Sequence, residues 1–161
     1  MAMISLRTLG IGLLVPLLVG CQSGQAEMAS LSGVDVVGKA DHCNRQSPGL
    51  SLARSMSEFP DVDGLLPAGE GALKAGRDVL VIYLGQRPTP GYGAELRQAQ
   101  TVEKVLTLSL EATRPDSDAM MAQVITTPCV ALAIPDEGWS SLYVEMDSDG
   151  FPLSLEASAG R

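Results

Sequence analysis

Two stretches decide the fold class: VLVIYL at Val79–Leu84 and KVLTLSLE at Lys104–Glu111. The first is a short, unbroken apolar run rich in β-branched residues. It is too short for an ordinary helix and reads as a central strand buried on both faces. The second alternates, with Leu106, Leu108 and Leu110 on one face and Thr107, Ser109 and Glu111 on the other, the period of a half-buried strand. Working outward, Val130–Ile134 repeats the buried-strand pattern, and Ala94–Val102 reads as a weaker strand. Near the end, Leu142, Val144 and Met146 share one strand face, and Phe151, Leu153 and Leu155 share another. Asp147-Ser-Asp-Gly150 joins them as a hairpin turn whose glycine accepts positive φ. Val34–Val37 and Leu50–Ala53 are shorter strand candidates. Ser57–Leu66 is the expected helix: Ser57 can cap it, Glu58 suits its first turn and Gly64 can end it. Pro67–Gly76 reads as a glycine-rich loop. The expected domain is mainly β, antiparallel and sandwich-like, with one short helix near its N-terminus.

Composition narrows the function classes. The chain has 161 residues, 45% apolar and 19% charged, enough to bury one core. Its 17 glycines and 10 prolines suit many short strands joined by turns. Nineteen acids against eleven bases give a net charge of −8. Without a basic stripe, such a chain is a poor nucleic-acid binder. A single histidine, His42, excludes a multi-histidine metal site.

The first twenty residues, MAMISLRTLGIGLLVPLLVG, read as a secretory signal. One basic residue, Arg7, precedes an apolar run from Leu9 to Val19 that is shorter than the ~20 residues of a membrane-spanning helix. The exit Leu18-Val19-Gly20-Cys21 resembles the lipobox of bacterial lipoproteins. That resemblance implies cleavage before Cys21 and attachment of diacylglyceryl and palmitate-type acyl chains to Cys21, a firm membrane anchor. Gln22 in place of Asp implies the bacterial cell envelope with the anchor in the outer membrane, facing the periplasm, rather than the inner membrane. Residues 22–32 (QSGQAEMASLS) are small and polar, so 21–32 reads as a flexible tether. Residues 33–161 then form a single domain. Its acidic body is repelled by anionic lipid, leaving the acyl group as the membrane contact.

With Cys21 acylated, Cys43 and Cys129 remain, and an oxidising compartment favours a bridge between them. His42 beside Cys43 does not make a nucleophile pair, because adjacent residues on an extended chain face opposite ways. Glu145, Asp147, Asp149, Gly150 and Glu156 fall at calcium-loop positions. The flanks alternate at period two where a calcium hand needs helices, so the hairpin reading is preferred. GEGALKAG lacks the Gly-Lys-Ser/Thr ending of a phosphate loop. No residues are singled out as catalytic, as metal ligands or as cofactor contacts, and the chain reads as a non-enzyme.

Arg87-Pro-Thr-Pro-Gly-Tyr-Gly93 is a stiffened connection. Pro88 and Pro90 fix two φ angles, and Pro90-Gly91 suits the centre of a type II turn. A pre-organised loop loses little entropy on binding, and Tyr92 is a good anchor. Residues 79–135 resemble the C-terminal domain of the protease complex subunit PrcB family. Gly85, Arg87, Pro88, Thr89, Gly91 and Tyr92 match its first motif, and Gln123, Val124, Thr126, Pro128 and Pro135 match its second. Pro90 replaces the usual first glycine of the loop, and Cys129 sits where an aromatic is common. The resemblance implies a lipoprotein or secreted subunit that binds a protein partner, a protease, and supports its stability or assembly. Arg87, Pro88, Thr89, Pro90, Gly91 and Tyr92 are then the candidate partner-binding loop. Pro88-Thr-Pro-Gly-Tyr92 is also similar to the Asn-Pro-Thr-Thr-Gly-Tyr loop of chagasin-type cysteine protease inhibitors. Arg87 stands where that family has Asn, and only Gly138-Trp139 echoes its Arg-Pro-Trp loop. Inhibition through the 87–92 loop is the alternative, with an envelope scaffold lipoprotein as a third reading.

Overall fold

The computed structural model describes residues 33–62 and 64–156. Residues 1–20, read as a signal, the lipidation candidate Cys21 and residues 22–32, read as a tether, lie outside the described residues. The elements are β1 (Asp35–Ala40), β2 (Pro48–Ala53), α1 (Leu66–Lys74), β3 (Asp78–Leu84), β4 (Gly93–Val102), β5 (Val105–Thr113), β6 (Cys129–Ile134), β7 (Ser141–Met146) and β8 (Leu153–Glu156). They form two four-stranded sheets, ordered β1-β6-β3-β2 and β4-β5-β7-β8. The mainly β, sandwich-like expectation holds.

Two apolar layers explain why β3 and β6 carry no alternation. On the inner face, Leu80, Ile82 and Leu84 with Val130, Leu132 and Ile134 meet Leu106, Leu108, Leu110, Leu142 and Val144 of the opposite sheet. On the outer face, Val79, Val81, Tyr83, Ala131 and Ala133 are covered by Phe59, Val62, Leu65 and Ala72. Every residue of β3 and of β6 is buried as a result. The sheet β4-β5-β7-β8 is covered on one side only, so β5 keeps its clean alternation.

The helix is displaced from its expected place. Among the described residues of Ser57–Leu66 only Leu66 is helical: Ser57 Oγ meets Ser55 Oγ at 2.9 Å, and the Glu58 carboxylate accepts the Arg54 amide at 2.7 Å, so both side chains serve a turn. The helix α1 forms instead over Leu66–Lys74, all but its first residue within the segment expected as a loop. Pro67 lies in its first turn, where no helical N–H is lost. Packing overrides the glycine content. The ring of Phe59 lies so close to Gly69 that a Cβ there would stand 2.4 Å from it, and Ala72 is buried against the sheet.

Five of the six strand pairings are antiparallel; β5 and β7 pair in parallel, from Val105↔Ser141 to Leu110↔Met146. The chain leaves β5, crosses to the other sheet as β6, and returns beside β5 in the same direction. The C-terminal hairpin β7–β8 forms as expected, with Gly150 at φ 87°.

Candidate functional site

Strand directions sort the loops into two ends. β3, β5 and β7 finish, and β2, β4, β6 and β8 begin, at the same end of the sandwich. That end carries the β3–β4 loop with residues 87–92, the long β5–β6 connection 114–128, and the β7–β8 turn 147–152. The opposite end carries the β4–β5 turn and Trp139. Trp139 is turned inward, packing on the core and donating its indole N–H to the Pro135 carbonyl at 2.8 Å.

Four sets of ties fix the candidate loop. The Arg87 amide donates to the Thr126 carbonyl at 2.8 Å, and the Thr126 amide returns a bond to the Arg87 carbonyl at 2.9 Å. Thr126 Oγ1 donates to the Thr89 carbonyl at 3.1 Å, and Thr126 is buried. The Gln86 amide donates to the Gln46 carbonyl at 2.8 Å, and the Leu84 amide to the Pro128 carbonyl at 2.9 Å. Gly91 sits at φ 92°; a Cβ there would stand 3.2 Å from Pro115 Cβ and 3.3 Å from Met121 Cε. The loop is therefore seated against the 114–128 connection on one side and the chain before β2 on the other.

Arg87 faces inward. Its Nη2 donates to the Leu84 carbonyl at 2.9 Å and to Ser148 Oγ at 2.8 Å, tying β3 to the β7–β8 turn. Its guanidinium carbon lies 5.7 Å from the centroid of the Tyr92 ring. The Nε is buried without a hydrogen-bond partner. Arg87 and Tyr92 are thus joined to each other and half-buried, while Pro88 and Gly91 are exposed and Thr89 and Pro90 half-exposed. All six candidate residues come together in one loop, but only part of it is presented outward.

Cys43 and Cys129 are bonded, with Cα atoms 6.0 Å apart and a sequence separation of 86. Both are buried. The Cys43 amide donates to the Thr127 carbonyl at 2.9 Å, and the Thr127 amide to the Asp41 carbonyl at 2.9 Å. The bridge is therefore tied to Thr127, the chain neighbour of Thr126, which holds Arg87. His42 is exposed on a polar cleft of about 590 Å³ lined by Lys39, Asp41, Asn44 and Asp61, next to a sulfur already committed to the bridge.

Met120–Thr127 fits neither the helical nor the strand period, although Gln123, Val124 and Thr126 belong to the second motif of the resemblance. Within it, Met120 is fully exposed, and Val124 and Ile125 are 50% and 59% exposed. Three large apolar side chains in six residues, beside a rigid loop, form a surface that period-based reading does not detect, because the segment follows neither period.

Residues 79–135 match the family model described as PrcB C-terminal. The span runs from β3 to just beyond β6 and takes in both the 87–92 loop and the 114–128 connection. The resemblance expected from the two motifs is met over the same residues. No curated protein and no solved structure gives a match to the chain.

Proposed function

We propose that this chain is a lipid-anchored, extracytoplasmic protein-binding subunit that attaches to a protease and supports its stability or assembly. The observation that carries the reading is the 87–92 loop, seated through Thr126 and Arg87 within the span that matches the PrcB C-terminal model. A loop already held in one conformation spends little binding energy on ordering, and Pro88 and Gly91 offer its outward contacts. The reading assigns no catalytic residue. Acylation at Cys21 in the lipobox would place the domain in the bacterial envelope, on the outer membrane facing the periplasm.

Affinity capture with the lipidated protein from its native membrane, with bound chains identified by mass spectrometry, tests the proposal. A protease in the eluate, lost with Arg87→Ala/Tyr92→Ala, is the expected result. An eluate of envelope proteins alone would replace the protease subunit with a scaffold. An inhibitor would instead block a papain-like protease with purified 22–161. That reading is disfavoured, because Trp139 lies at the far end from residues 87–92 and is packed inward.

A further inference from the structure

We infer that residues 120–125 are a docking strip for an extended segment of the partner, one whose apolar side chains alternate and whose ends carry lysine or arginine. The inference rests on the protein-binding reading above and names the chemistry of the partner.

Three observations converge on this strip. Its side chains are apolar and exposed at Met120, Val124 and Ile125. Its backbone is open: the nearest bonds are local, Ala119 N–H to the Asp116 carbonyl at 3.1 Å and Val124 N–H to the Ala122 carbonyl at 2.9 Å. Among the described residues, no backbone bond joins 120–125 to another segment, and pairing resumes only at Thr126. The strip is not itself a strand, but its open backbone leads into the paired Thr126–Thr127, and an extended partner laid along it can use the same division of labour as strand addition: main-chain bonds supply affinity and side chains supply specificity. An acidic rim of exposed carboxylates lies at this end of the sandwich: Asp116 and Asp118 just before the strip in sequence, and Asp147 and Asp149 on the β7–β8 turn, which Arg114 and Arg87 tie to the β5–β6 connection. Of the nearby cations, exposed Arg114 offsets one of these four charges and leaves the rim acidic. Arg114 donates to the Asp147 carbonyl at 3.4 Å, and Arg87 is turned in. A basic-ended segment fits that rim and an acidic one does not.

Of the edge strands β1, β2, β4 and β8, two are blocked as templates. β4 is interrupted by a bulge between Leu96 and Gln98, and Arg97 bridges Glu95 and Glu111 at 3.0 and 2.6 Å. β1 has its own bulge between Val36 and Gly38. Bulges and edge charges are the usual blocks to strand addition.

Hydrogen exchange read by mass spectrometry on the full chain in detergent tests this. The probe is a capped peptide with an alternating valine–threonine core between lysine pairs; its control replaces the lysines with glutamates. The lysine peptide should slow exchange across 120–125 by about fivefold or more, and the glutamate peptide should not. Val124→Asp/Ile125→Asp, two exposed positions, should keep the thermal midpoint and abolish the protection. Equal protection by both peptides, protection at any edge strand (β1, β2, β4 or β8) instead, or no protection at all overturns the inference. So does a strip already slow before peptide is added, which would mean that the chain covers it itself. The two proposals fail separately. A protease captured equally well by Val124→Asp/Ile125→Asp removes the strip and leaves the subunit reading. A strip that binds the lysine peptide in a protein that captures no protease removes the protease and leaves the strip.

Discussion

Breaking the Cys43–Cys129 bridge should cost this domain a large part of its stability without dismantling the fold. The bridge spans a sequence separation of 86, and the chain-entropy treatment of a loop that long gives about 4.5 kcal/mol at 25 °C. That figure acts on the unfolded chain. The folded connection persists, because the Cys43 amide still reaches Thr127 and the Thr127 amide still reaches Asp41. For a domain of this size the loss corresponds to a fall in thermal midpoint on the order of 15 °C. Two samples separate the cross-link from the sulfur atoms: the native protein reduced with a dithiol, and Cys43→Ala/Cys129→Ala. The double variant should lose somewhat more than the reduced protein, because both sulfurs are buried and their removal leaves small voids. Guanidinium unfolding followed by circular dichroism measures both. Equal midpoints for oxidised and reduced protein would refute the reasoning, since a bridge that closes so long a loop must restrict the unfolded state. The reduced protein should also exchange its Arg87 and Thr126 amides faster, because Cys43 is bonded to Thr127, the next residue to that pair.

Two glycines of α1 should respond in opposite directions. Gly71 has open space around its missing Cβ, so Gly71→Ala should stabilise by about 0.5–1 kcal/mol. Gly69→Ala would place a Cβ 2.4 Å from the Phe59 ring and should destabilise by about 1–3 kcal/mol despite its better helix propensity; thermal midpoints of the two variants give the signs directly. Burial pushes the Tyr83 phenol above its usual value of 10.0, with the Arg45 charge and a Ser51 hydrogen bond partly opposing it. Unfolded protein therefore loses this proton first. The stability tied to the neutral phenol is complete below pH 10 and is lost as pH rises through the higher folded value. Urea midpoints from pH 9 to 11.5 should fall more steeply for the native protein than for Tyr83→Phe, and parallel curves would count against burial as the cause.

Legibility in the sequence followed from how locally each element is determined. β5 could be read because Leu106, Leu108 and Leu110 face the inter-sheet core while Thr107, Ser109 and Glu111 do not. β3 could be read for the opposite reason: two different cores claim its two faces, so every position is apolar or buried. The helix was misplaced because propensity is local and its cause is not. Pro67, Gly69 and Gly71 read as a loop, yet Gly69 is what lets Phe59 approach. Ser57 and Glu58 carry the chemistry of a cap and use it on a turn. The parallel β5–β7 pair was not legible at all, since nothing in either strand records that β6 lies in the other sheet between them in sequence. Of the candidate site, the loop was visible through its prolines and Tyr92, whereas the inward turn of Arg87 depends on Ser148, sixty-one residues away. Gln123 and Val124 stand out in the sequence as motif residues, but the exposed 120–125 strip does not, because its meaning lies in what it fails to pair with.

The inward turn of Arg87 changes how its loss should be interpreted. A contact residue contributes to binding by touching the partner. Arg87 instead joins three segments: its backbone holds Thr126, its Nη2 holds Leu84 and Ser148, and its guanidinium lies over Tyr92. Thr126 is the first paired residue after the strip, so loosening the Arg87–Thr126 pair frees the strip at its C-terminal end. The Met121–Gly91 approach holds the strip near its start. The 87–92 loop is in this sense the mounting of a neighbouring surface as well as a surface itself. Arg87→Ala should then weaken partner binding mainly through a slower or less complete docking of 120–125. Its effect should combine with Val124→Asp/Ile125→Asp less than additively, because both act on the same contact. Fully additive losses in a double-variant cycle would place Arg87 in direct contact with the partner and separate the two surfaces.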